Sequence, residues 1–236
     1  LAAMLRVTVG RHPRDPRTVD VPYDGGEFAR RAAVPTDLPG GPIHQDAREA
    51  VRRAGEALAA AGWDVVDATP PEMERCYDLW GRLLGEDFPA TLTALDEVMT
   101  DDGAHLMRSS IEFWPAGEVA PQVVHAERLG LARKWALFLD EFPVLVLPTW
   151  YQPPFAHGDD LVDDPDAVRA LYDGVFTPIT PANLLGLPAT QVPAGCNDDG
   201  VPLGVQFMAD RHREDRTLAA AAVVQAPYSS ITPSDP

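Results

Sequence analysis

The feature that most constrains this chain is the stretch "FPVLVLPTW", Phe142–Trp150, in which Val144, Leu145, Val146 and Leu147 follow one another with no polar residue between them. Successive strand side chains point to opposite faces, so such a strand must be buried on both. A helix runs directly into it from Pro121, carrying Val124, Leu131, Trp135, Phe138 and Leu139 on one side.

The amino-terminal part offers a second helix. From Asp46 the apolar positions Ala47, Val51, Ala54 and Leu58 recur at helical spacing, with Arg48, Arg52, Arg53 and Glu56 on the wet face. Gly62 reads as its stop. The apolar run in "ARRAAVPTDLPGGP" precedes it and "WDVVDATPP" follows it as a short strand, which makes a β-helix-β pattern. The fold class expected is α/β, a mixed β-sheet flanked by helices.

Elsewhere the punctuation is local. "LAAMLRV" reads as the end of a helix that starts before Leu1, so the chain is expected to be a fragment. "VGRHPRDPRTVDVPYDGG" has Pro and Gly where regular elements exclude them and should be a surface connection. The region from about Glu72 to Met99 is helical by composition, weakened by Gly81 and Gly85, and Asp101–Gly103 should end it. In "TPITPANLLGLPATQVPAG" Thr180 can cap a short helix starting at Pro181, and Gly186 with Pro188 stops it. "ATQVPAG" and "VPLGVQFMAD" read as a strand pair around Asp199-Gly200, and Glu214-Asp215 open a last helix. The domain expected is 1–226, with 227–236 a flexible Pro-rich tail.

Charge narrows the partners. Acidic residues outnumber basic ones, 36 to 19, for a formal charge of -17, which repels a polyanion. No nucleic-acid partner is expected. No apolar run is long enough for a membrane span, and the reading is a cytoplasmic protein with no membrane partner.

Few residues carry chemistry by spacing. His12, His44, His105, His125, His157 and His212 are dispersed, with no pair at metal-binding spacing. The aspartates of "HGDDLVDDPD" lack calcium-loop spacing and read as a hydrated acidic loop. A metal site built on His125 and Glu127 has little support, so no metal and no cofactor are expected. Cys76 and Cys196 read as inert thiols. Glu86-Asp87 and Asp96-Glu97 are adjacent helix charges, Ser109-Ser110 a surface serine pair, and Lys134, the only lysine of the chain, lies on an amphipathic helix.

The order Asn183, Gly186, Pro188-Ala189, Pro193-Ala194-Gly195, Pro202 and Gly204-Val205-Gln206 strongly resembles the carboxy-terminal portion of the amidase signature family of serine hydrolases. "HPRDPRTVDVP" and "FPVLVLPTW" agree with it, so the resemblance covers nearly the whole chain. It implies that the junction packs a short helix and an antiparallel strand pair onto a central mixed sheet, beside a substrate pocket. It also implies carboxamide hydrolysis by a serine nucleophile, a second serine and a lysine base near glycine-rich amide donors.

That Gly/Ser-rich signature has no counterpart here, so no catalytic residue is assigned. The expectation is an amidase-family piece supplying scaffold and pocket wall, inactive alone, whose partners are a small-molecule amide and a chain carrying the catalytic half. The alternative is a non-catalytic binding protein derived from the fold. Pocket-facing residues are expected to be Thr149, Trp150, Thr177 and Asn183; for Thr177 and Asn183 capping of backbone groups is an equal alternative. The strand at Val144–Leu147 is expected to leave its faces and one edge uncovered in this chain alone, inviting association.

Overall fold

The computed structural model describes residues 1–38, 40–95, 98–161 and 164–228. Five strands form one mixed sheet in the order β2-β1-β3-β5-β4. They are β1 (Arg31–Ala33), β2 (Asp64–Val66), β3 (Val144–Pro148), β4 (Ala189–Cys196) and β5 (Pro202–Met208). β1 pairs parallel with β2 and β3, whereas β3–β5 and β5–β4 are antiparallel. The mixed, helix-flanked α/β class read from the sequence is what the chain forms.

β3 lies at the centre. All five of its residues are buried, as its unbroken apolar run requires. One face of the sheet carries α2 (Gln45–Ala60) and α8 (Glu214–Gln225), packed against Val144, Val146, Val205 and Phe207. The opposite face carries α3 (Met73–Leu95), α5 (Pro121–Glu141) and α7 (Thr180–Leu185), packed against Leu145, Leu147 and Met208. This corrects the expectation of an uncovered strand: β1 and β5 pair both edges of β3, and helices of this same chain cover both faces.

Helix ends follow local chemistry. At Gly62, φ +83°, the Trp63 amide donates to Leu58 and the Gly62 amide to Ala59, the double bond pattern that closes a helix through a left-handed glycine. Asp101–Gly103 do not end a helix; they open α4 (Asp101–Phe113), because the Thr100 hydroxyl accepts the Gly103 amide and two aspartates face the positive end of the dipole. Thr180 is helical already, and its hydroxyl donates to the Thr177 carbonyl instead of capping. In the β4–β5 turn only Gly200 has positive φ, while Asn197 Oδ1 accepts from Asp199 and Val201.

The remaining elements are α1 (Ala2–Thr8), α6 (Pro165–Phe176) and short 3-10 turns at Asp159–Leu161 and Ala226–Tyr228. Asp159 and Asp164 of the acidic loop accept backbone amides, Asp164 as the cap of α6. The Asp96-Glu97 pair, Val162-Asp163 and the tail from Ser229 lie outside the described residues.

Candidate functional site

Two cavities open at one end of the sheet, beyond the carboxyl ends of β1, β2 and β3 and beside the amino end of β5, on either side of the amino-terminal turns of α2, with Ala47 lining both. This is where side chains from a sheet and its crossover helix converge on open space. The first, about 520 Å³, lies over β1 and β2, bounded by Val34, Thr36, Asp67, Arg48 and Pro148. Thr36 donates to the Asp67 carboxylate through its hydroxyl (2.6 Å) and its amide (3.0 Å), and these bonds hold that carboxyl below its ordinary pKa.

The second, about 480 Å³, lies over β3, β5 and β4. The chain leaving β3 supplies Thr149, Trp150 and Gln152; β5 supplies Leu203 and Gly204; β4 supplies Gln191; α2 supplies Asp46. The Thr149 amide donates to the Gly204 carbonyl at 3.1 Å, which continues the β3–β5 ladder past Pro148. Gly204 is required by crowding: a Cβ there would stand 2.8 Å from both Thr149 Oγ1 and Gln191 Nε2. Thr149 Oγ1 is buried and has no partner among the described residues. Trp150 stacks on Phe155 with ring centroids 5.5 Å apart, and Asp46 Oδ2 accepts from Asn197 at 3.0 Å.

Of the residues named from the sequence, Thr149 and Trp150 meet in this cavity, and Thr177 and Asn183 stand outside its lining. Thr177 is buried, with its methyl against Gly40, where a Cβ would come within 2.5 Å of it. Asn183 is exposed and donates to the Ile179 carbonyl at 3.3 Å; Ile179 itself lines the cavity. Sequence reasoning used Gln206 as part of the family resemblance and gave it no place at the site. Its buried side-chain amide donates to Pro148 at 3.1 Å and to Pro178 at 2.9 Å, tying the end of β3 to the junction before α7. A glutamine among the apolar residues of a central strand was the available signal. The α7 carbonyls are held in turn by Arg128 on Leu184 and Arg211 on Leu185.

The other candidates are placed elsewhere. Ser110 is buried against the Tyr172 hydroxyl at 3.4 Å and Ser109 is half-buried, bonded to the His105 carbonyl, so the pair is not a surface feature. Lys134 is half-exposed and ion-paired with Glu72. Burial pushes the Cys76 thiol up to about 12, against a smaller opposing effect of the Trp135 ring N–H. Cys196 is exposed. Among the described residues no group of three or more metal-ligating side chains converges, and no helix is long and apolar enough to cross a membrane.

Comparison with known proteins bears on the same elements. The Amidase family model matches residues 1–218. An indoleacetamide hydrolase of Bradyrhizobium japonicum is 30% identical over 229 residues, which cover 90% of this chain and 46% of that protein. A glutamyl-tRNA(Gln) amidotransferase subunit of Acidothermus cellulolyticus is 26% identical, covering 98% and 52%. The solved 6-aminohexanoate cyclic dimer hydrolase complexed with substrate superposes with a TM-score of 0.67 at 27% identity, covering 95% of this chain and 52% of that one. The chain thus spans about half the length of the relatives it matches. With the family model matching from the first helix into α8 and the fold shared with these neighbours, the chain belongs to the amidase signature family.

Proposed function

We propose that this chain forms the scaffold and one wall of the substrate pocket of a carboxamide hydrolase, and that it does not hydrolyse amides by itself. The observation that carries the reading is the cavity beyond β3, where Thr149 and Trp150 meet Gln191 and Gly204. Its described lining combines apolar surface with the carboxamides of Gln152 and Gln191, groups that orient a small amide through hydrogen bonds. Asn183, exposed, supports the wall by fixing the backbone that presents Ile179, and Thr177 is buried in the same junction.

Recognition is not reaction. A lysine base needs a desolvated place beside its nucleophile, whereas Lys134 lies exposed on α5 in an ion pair with Glu72. Ser110 is buried, and its hydroxyl donates to the Tyr172 hydroxyl. The partners proposed are therefore a small-molecule amide and a chain carrying the remaining machinery; the Acidothermus relative is by its name one subunit of an amidotransferase.

Incubation of the purified chain with indoleacetamide or a simple aryl amide should give no product, while Gly204→Ala should weaken amide binding by closing on Thr149 and Gln191. Hydrolysis that vanishes in Ser110→Ala or Lys134→Ala would sink the reading. A second reading, a non-catalytic binding protein, is favoured by one observation: β3 is paired and covered entirely by this chain. Amide binding by a stable chain whose function needs no second half would support it instead.

A further inference from the structure

The segment leaving β3 is tied down on both sides of Trp150. The Thr149 amide donates to the Gly204 carbonyl, the Tyr151 amide to the Gly174 carbonyl at 2.8 Å, and the Tyr151 carbonyl accepts the His44 amide at 2.7 Å. Gln152 adds a side-chain bond to the Pro42 carbonyl at 2.6 Å, and Pro153 and Pro154 then fix φ twice in succession. The backbone under Trp150 is therefore held by β5, α6 and the approach to α2. Its ring is held as well, because Phe155 stacks on the indole with ring planes only 13° apart. Trp150 lines the cavity beyond β3 and Phe155 does not, so the cavity meets the part of the indole that Phe155 leaves bare. A fixed indole rewards an aromatic neighbour, stacked or edge-on, over a puckered ring of the same size.

Charge sets a second limit. Asp46 is the one charged side chain among the described lining residues, and none of the described Arg or Lys side chains forms an ion pair with it. Asn197 donates to its carboxylate, and His44 Nδ1, 3.7 Å away, accepts the Asp46 amide and so brings no proton toward it. A second carboxylate entering this cavity would leave water for a mostly apolar wall, beside a like charge and without a cation to meet it.

We infer that the cavity beyond β3 takes amides whose side group is a flat aromatic ring bearing no negative charge. Trp150 is the specificity-determining residue, Phe155 a positioning residue that acts through it, and Asp46 the group that turns anionic amides away. The inference rests on the functional reading above and narrows it to a substrate class. The volume of about 480 Å³ has room for such a side group together with its carboxamide.

The test is calorimetric titration of the intact chain with three amides of similar size: phenylacetamide, cyclohexylacetamide, and phenylacetamide carrying a para-carboxylate. Phenylacetamide should bind about fivefold tighter than the cyclohexyl compound, the worth of one aromatic pair, and the carboxylate should bind at least about tenfold weaker than phenylacetamide. Trp150→Leu should erase the preference for the aromatic ring. Phe155→Leu should reduce it and Phe155→Tyr restore it, whereas loss of packing alone would weaken both neutral amides equally. Asp46→Asn should narrow the gap between phenylacetamide and its carboxylate. The Phe155 and Asp46 variants keep the test decisive if Trp150→Leu fails to fold. Amide binding without an aromatic preference, a preference that survives Trp150→Leu, or equal binding of the carboxylate would overturn this inference and leave the functional reading standing. Binding of none of the three would overturn both.

Discussion

Gln206 is the residue on which the site's shape most depends. One carboxamide nitrogen serves two buried carbonyls, at Pro148 and Pro178, so Gln206→Leu leaves both without a donor in a water-excluded place. We expect a loss of about 2 kcal/mol in urea unfolding, together with weaker amide binding. Cys76 makes the opposite case, a reactive atom silenced by its surroundings. Its thiol, raised to about 12 by burial, keeps its proton when the unfolded thiol, near 8.5, has lost it. Stability should therefore fall as pH rises from about 8.5 toward 12, and Cys76→Ala should flatten that part of the profile. Tyr77 and Tyr151 are raised by burial too and add to the alkaline loss, so the slope should be reduced and not removed. At neutral pH a maleimide should label Cys196 and leave Cys76 untouched until the protein unfolds.

At the scale of elements, α3 shows how a sequence weakness becomes a packing requirement. Gly81 and Gly85 lower helix propensity, and both lie under Trp114. A Cβ on Gly81 would stand 2.1 Å from the indole, and one on Gly85 1.9 Å from the Trp114 carbonyl oxygen. Alanine gains about 1 kcal/mol of propensity over glycine in a helix. The clash at Gly85 is with backbone that ends α4, which cannot rotate away, so overpacking should outweigh that gain. Gly85→Ala is expected to destabilise by about 2 kcal/mol net, read from the tryptophan fluorescence of a denaturant titration. The same replacement at Gly130, where nothing stands within 4 Å, should instead stabilise slightly.

For the whole molecule, the position of β3 decides how the chain behaves in solution. With β1 and β5 on its edges and helices on its faces, β3 is the best-protected segment, and the weak point moves to the free edge of β4. Hydrogen exchange should accordingly find the Val144–Leu147 amides slowest, and those of Ala189 and Gln191 fast in the isolated chain. If the β3 amides exchanged first, the core would not be sealed by this chain alone.

Local signals in the sequence determined the parts of this protein that depend on near neighbours. The unbroken Val144–Leu147 run required burial on both faces, the stripe of Ala47, Val51, Ala54 and Leu58 gave α2 its inner face, and Gly62 ended it. The family could be read from the spacing around Asn183 and Gln206, and Thr149 and Trp150 could be placed near a pocket because they leave the central strand. Tertiary structure alone decided the rest. A strand's composition shows that its faces are buried but not which strands pair its edges, because ladder bonds join backbone groups that every residue carries. For the same reason the two carbonyls that Gln206 serves, the indole that excludes a Cβ at Gly81, and the open edge at Ala189 and Gln191 were illegible: each depends on segments far apart in sequence that meet only after folding.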